Sequence, residues 1–140
     1  MPTVQRFEEL RVWQRARALA KEVYVVTSTG QLGRDFALRD QLRRASISVV
    51  SNIAEGFERD GNREFEQFLT LAKGSLGEVQ AQLYVALDVG FVTPEQFQRL
   101  RALTIEVGNL ISGLLRYLRN TTIKGTKFRE RPELYVTEPN

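Results

Sequence analysis

Four side chains in the segment QLRRASISVVSNIAEGFERD, residues 41–60, are spaced for joint chemistry. Arg44, Ser48, Ser51 and Glu55 follow one another at intervals of four, three and four. On a helix those intervals put a guanidinium, two hydroxyls and a carboxylate on one face. Such a set can form a ligand or nucleic-acid surface, or equally a polar seam between helices or subunits. If the following turn centres near Gly61, residues whose numbers sum to about 122 stand level across it, setting Arg44 beside Glu78, Ser48 beside Gly74 and Ala45 beside Gly77. The candidates for a subunit interface or polar seam are therefore Arg44, Ser48, Asn52, Glu55, Gly74, Gly77 and Glu78, with Arg44 expected to pair with a carboxylate.

Catalysis has lost its commonest parts. The sequence contains no Cys and no His, which removes disulfides, thiolate nucleophiles, imidazole bases and Cys/His zinc sites. A carboxylate pair such as Glu55 and Glu78 could in principle hold a metal, but Arg44 and Ser48 are the wrong neighbours for a two-metal site. The expectation is a protein that is not an enzyme, with no catalytic residue, cofactor or metal.

Cations supply the other candidate chemistry. Of 20 Lys and Arg residues, 16 are Arg, whose planar fork suits phosphate and carboxylate alike. Residues 1–115 hold 14 basic and 14 acidic residues, so the net charge of +3 comes entirely from residues 116–140. There Arg116, Arg119, Lys124, Lys127, Arg129 and Arg131 face three glutamates and interleave with Phe128 and Tyr135, a composition able to contact phosphates and stack on unpaired bases. The competing reading is a solvated tail, with Arg116 and Arg119 complementing a helix dipole. Arg43, Arg11 and Arg15, together with Arg17 and Lys21, are further candidates for external contact.

Helices must position these groups. Leu10, Trp13, Ala16, Ala20 and Val23 recur at helical spacing and predict a first helix over about 7–27. The second is expected over about 35–57 behind Asp35 as N-cap, and the third over about 63–89 after Asn62, with Gly90 as its stop. Thr93, Pro94 and Gln96 form the clearest start, a capping box with proline at the first helical position, opening a helix over about 94–119. Short connections make neighbours antiparallel. The expected fold is all-α, an up-down-up-down four-helix bundle over residues 1–120, followed by a basic tail over 121–140. MPTVQRFEEL is too charged for a signal peptide and no apolar run suits a bilayer, so the cytoplasm is the expected location.

Apolar residues exceed what one bundle needs. Ile47, Val50, Ala54 and Phe57 make a second arc on the second helix, and Leu103, Leu110, Leu115 and Tyr117 lie off the main seam of the fourth. Gly74 and Gly77 point away from their core stripe, where small residues let another backbone approach. These features predict a homo-oligomer.

Three segments together carry a family resemblance: FEELRVWQRARALAKEVY, QLRRASISVVSNIAEGFER and REFEQFLTLAKGSLGEVQAQL. In that order they resemble the four-helix bundle family named for the protein encoded in 23S rRNA intervening sequences, over about residues 6–118. The most specific matching pieces are Gln41 to Ala45, Ser51 to Gly56, and Lys73-Gly74-Ser75 with Glu78. The resemblance implies a bundle that assembles into a ring, commonly a homopentamer, with no enzymatic activity, metal or cofactor. It also implies a fold similar to the accessory protein of diversity-generating retroelements, which works with a reverse transcriptase and nucleic acid. Two functions follow as expectations: sequence-tolerant RNA binding, or a scaffold whose partner is a protein such as a reverse transcriptase.

Overall fold

The computed structural model describes residues 4–121. The cations Lys124, Lys127, Arg129 and Arg131, with Phe128 and Tyr135, lie outside them. Among the described residues the fold is all-α, without a strand. A single 3-10 turn, Phe7–Glu9, precedes α1 (Arg11–Val26), α2 (Gly30–Arg34), α3 (Phe36–Glu58), α4 (Asn62–Asp88) and α5 (Pro94–Arg119). α1 packs on α3 and α5, α3 packs on α4, and α4 packs on α5. The four long helices thus close a circuit around one core, with α1 and α4 on opposite sides of it.

Each helix brings a stripe of large aliphatics to that core. Leu19, Leu42, Ile53, Leu69, Leu83, Leu100, Ile111 and Leu114 are all wholly buried. Each such side chain contributes about 1.5–3 kcal/mol relative to exposure.

The helix ends follow local chemistry. Asp35 accepts a hydrogen bond from the Leu38 N–H at 3.0 Å and caps α3. At α5 the Thr93 hydroxyl accepts from the Gln96 N–H at 3.1 Å, while the Gln96 side chain accepts from the Thr93 N–H at 2.9 Å. α4 closes in a Schellman arrangement around Gly90, whose φ is +78°: the Phe91 N–H donates to the Ala86 carbonyl and the Gly90 N–H to that of Leu87.

Three sequence expectations change. The first helix is two pieces, because Leu10 adopts extended backbone and drops its wholly buried side chain into the core between the 3-10 turn and α1. The connection between the first two expected helices contains the short α2, whose Leu32 is fully buried and fastens it to the core. Asn62 is the first residue of α4 rather than its cap, a position taken by Gly61 at φ +97°.

The supposed excess of apolar surface also shrinks. Phe57 and Leu115 are buried, and Val50, Leu103, Leu110 and Tyr117 pack against the core. A helix touching two neighbours buries a wider arc than one touching a single partner, so α3 absorbs much of its second arc inside the chain. Of that arc only Ile47 is counted among the exposed large side chains.

Candidate nucleic-acid and subunit surfaces

The polar face of α3 meets α4 along a cleft of about 250 Å³ lined by Gln41, Arg44, Ala45, Ser48, Ser75 and Glu78. Its floor is a short hydrogen-bond chain. The Asn52 amide donates to the Ser48 carbonyl at 2.9 Å and to its hydroxyl at 3.0 Å, and that hydroxyl lies 2.8 Å from the Ser75 hydroxyl. About two turns away, the Gln82 amide donates to the Gln41 side-chain carbonyl at 3.2 Å. Ser48 and Asn52 therefore belong to a polar seam within the chain.

Arg44 and Glu78 stand on the same cleft, as the level-matching expects, yet neither enters an ion pair among the described residues. The expected carboxylate partner for Arg44 is not supplied within the described chain. Glu55 instead accepts from Arg59 at 3.0 Å, one turn along its own helix. Gly74 and Gly77 are exposed, and a Cβ on either would meet no atom within 4 Å. Along the same outer side of α4, Leu71, Val85 and Val89 are 57%, 50% and 53% exposed.

Most sequence-predicted cations of the described chain already have partners. Arg11 and Arg15 converge on Glu106 of α5, at 3.4 and 2.9 Å. Arg119 reaches Glu66 at 3.1 Å. Arg43 donates to the Thr27 hydroxyl at 2.8 Å, to the Thr27 carbonyl at 3.1 Å and to the Ser28 hydroxyl at 3.3 Å, which ties α3 to the C-terminal end of α1. Such contacts satisfy helix-end acceptors as well as holding the guanidinium still. Arg116 is exposed in the last turn of α5 and enters no ion pair among the described residues.

Sequence reasoning passed over four rings that the fold sets beside guanidinium groups, among them Trp13, 5.6 Å from Arg17, and Phe68, 5.2 Å from Arg59. Arg43 lies 4.5 Å from the centroid of Tyr24, and Arg39 lies 4.4 Å from that of Phe36. Arg39 is further fixed by donating to Asp40 at 2.8 Å and to the Gly33 carbonyl at 3.2 Å. The hydrogen bond from Arg39 holds the Asp40 carboxyl below its usual range, helped by the fields of Arg43 and Arg44. The available signal was the three-residue step from Phe36 to Arg39 on one helix; nothing local links Tyr24 to Arg43.

The family described as 23S rRNA-intervening sequence protein matches this chain over residues 8–113. A crystal structure of a protein of unknown function from the S23 ribosomal protein family of Bacteroides thetaiotaomicron is similar in fold, with a TM-score of 0.70 at 19% identity. The likeness covers 75% of this chain and 98% of that one. No curated protein matches this chain.

Proposed function

This chain belongs to the 23S rRNA-intervening sequence protein family, and from that premise we propose that it is a non-enzymatic, homo-oligomeric four-helix bundle that binds RNA with little regard to sequence. The observation that carries the binding half is charge placement. The whole positive surplus of the sequence lies in residues 116–140, beginning with Arg116, which no carboxylate of the described chain neutralises. Backbone phosphates are the ligand that an excess of arginine suits irrespective of base order. Assembly, a homopentameric ring as the family resemblance implies, is supported by the open glycines and exposed aliphatics of α4. Repetition around a ring multiplies each basic patch. The cytoplasm is the compartment in which we place it; no helix of the described residues is long and apolar enough to cross a membrane.

A second reading draws on the α4 face alone. There the chain is a scaffold or accessory subunit for a protein such as a reverse transcriptase, and any nucleic acid is held by that partner. Fluorescence anisotropy of a labelled single-stranded RNA, titrated at several salt concentrations, separates the two. Binding is expected to weaken steeply with salt, and replacing Lys124, Lys127, Arg129 and Arg131 by Ala should flatten the log–log slope by up to about 3, at roughly 0.7 per phosphate contact. Absence of salt-dependent binding by the intact protein would overturn the RNA reading and leave the scaffold.

A further inference from the structure

The described carboxylates are unevenly shared among the cations. On the α5 side of α1, Arg11 and Arg15 meet Glu106, and Glu22 meets Arg99. The other side of the same helix is different. Arg17, Lys21 and Tyr24 follow at steps of four and three and so share one edge. The contact between Tyr24 and Arg43 identifies it as the edge facing α3. Neither Arg17 nor Lys21 enters an ion pair among the described residues, and neither does Arg34 in α2, whose Nε donates to the Gly30 carbonyl. The nearby acids are already occupied: Asp35 caps α3 and Asp40 accepts from Arg39.

Aromatic rings interleave with these cations. Phe36 is 64% exposed, the highest value among the exposed large hydrophobic side chains, and Tyr24 is 40% exposed. Each ring has a guanidinium against it that is pinned by other bonds: Arg39 by Asp40 and the Gly33 carbonyl, Arg43 by Thr27 and Ser28. The two arginines are four residues apart on α3, so the stacked pairs sit about one helical turn from each other. A ring backed by a fixed cation and still open to solvent is a preorganised stacking surface, at little ordering cost to a ligand.

We propose that this α1–α3 edge binds single-stranded nucleic acid, with unpaired bases stacking on Phe36 and Tyr24 and phosphates running past Arg17, Lys21 and Arg34. The inference rests on the RNA-binding reading above and names a site separate from the tail. Single strands are favoured over duplex because an exposed ring meets a base face only when that base is unstacked.

The test uses the full chain and two RNAs of equal length, one single-stranded and carrying 2-aminopurine, one duplex. Phe36→Leu keeps an apolar side chain at an exposed site but removes the π-face, and Phe36→Trp keeps that face. Phe36→Leu should weaken single-strand binding about tenfold, the scale of one lost base stack. Its salt slope and duplex affinity should stay at wild-type values, and it should lose most of the 2-aminopurine quenching. Phe36→Trp should restore both affinity and quenching.

If wild type binds RNA and Phe36→Leu matches it in affinity and quenching, this edge is not the site, although RNA binding stands. If wild type binds no RNA, the underlying reading fails and takes the site with it. If Phe36→Leu changes the light-scattering mass and not the RNA affinity, the edge is a protein contact and the proposal is overturned.

Discussion

At the scale of single residues, two glycines of similar sequence context have opposite meanings. A Cβ built on Gly56 of α3 would lie 2.6 Å from the Cβ of Phe68 and 3.0 Å from a ring carbon of Phe65. The first of those atoms is fixed to the α4 backbone and cannot swing aside, so the helices themselves would have to part. Overpacking of this kind costs about 1–3 kcal/mol, partly offset by up to about 1 kcal/mol from the better helix propensity of alanine. Gly56→Ala should therefore lower the urea midpoint of unfolding by an amount equivalent to about 1–2 kcal/mol at unchanged slope. At Gly74 the propensity term stands alone, since no atom lies within 4 Å of its would-be Cβ. Gly74→Ala should raise the midpoint, by up to about 1 kcal/mol. A fall for both variants would mean that the outer face of α4 is covered in solution. The sequence placed Gly74 on an outer face but could not distinguish the tightly packed Gly56 from it, because that requires knowing which helix crosses there.

At the scale of elements, legibility followed the range of the forces involved. The start of α5 was readable in full, since the Thr93, Pro94 and Gln96 cap is a local device whose partners are three residues apart. Thr93→Ala removes the hydroxyl that accepts from Gln96 and should cost about 1 kcal/mol, read as a lower unfolding midpoint with the same helical content. A Thr93→Ser variant, which keeps the hydroxyl, should unfold like wild type. The α3–α4 register was nearly as legible: hydrogen-bonded partners Ser48 and Ser75, and Gln41 and Gln82, have numbers summing to 123, against the expected value of about 122. Antiparallel helices joined by a short turn have almost no freedom to slide. What stayed hidden depended on distant chain. Leu10 leaves the helical pattern and Leu32 joins a short helix in the connection because the core claims both side chains, and Phe57 looked exposable only while Phe65, 5.9 Å away between ring centroids, was not known to cover it. The cation site suffered most. Arg11, Arg15 and Arg119 read as candidates for external contact, because their carboxylate partners Glu106 and Glu66 lie 53 to 95 positions away in the sequence.

At the scale of the whole molecule, the surface divides by chemistry. The α1–α3 edge combines unneutralised cations with exposed rings, whereas α4, across the core from α1, presents Leu71, Val85 and Val89 beside two open glycines. A helix face of that kind is expensive to leave in water and smooth enough for close approach of another backbone. If copies of the chain meet through α4 and the α1–α3 edge binds RNA as proposed, the edge is repeated once per subunit, so assembly would raise avidity for RNA without altering any single site. This separates assembly from binding in one experiment. Replacing Leu71 and Val85 by Glu puts two charges into the apolar face while leaving every buried residue in place. The variant should scatter light as a single chain of 16.0 kDa, with wild-type helical content. It should also bind a long single-stranded RNA more weakly than wild type, while its affinity for an oligonucleotide short enough to occupy one subunit stays the same. A variant that keeps the wild-type mass removes α4 from the subunit contact. One that loses affinity for long and short RNA equally shows that α4 itself touches the nucleic acid, because loss of avidity alone cannot weaken a site engaged one copy at a time.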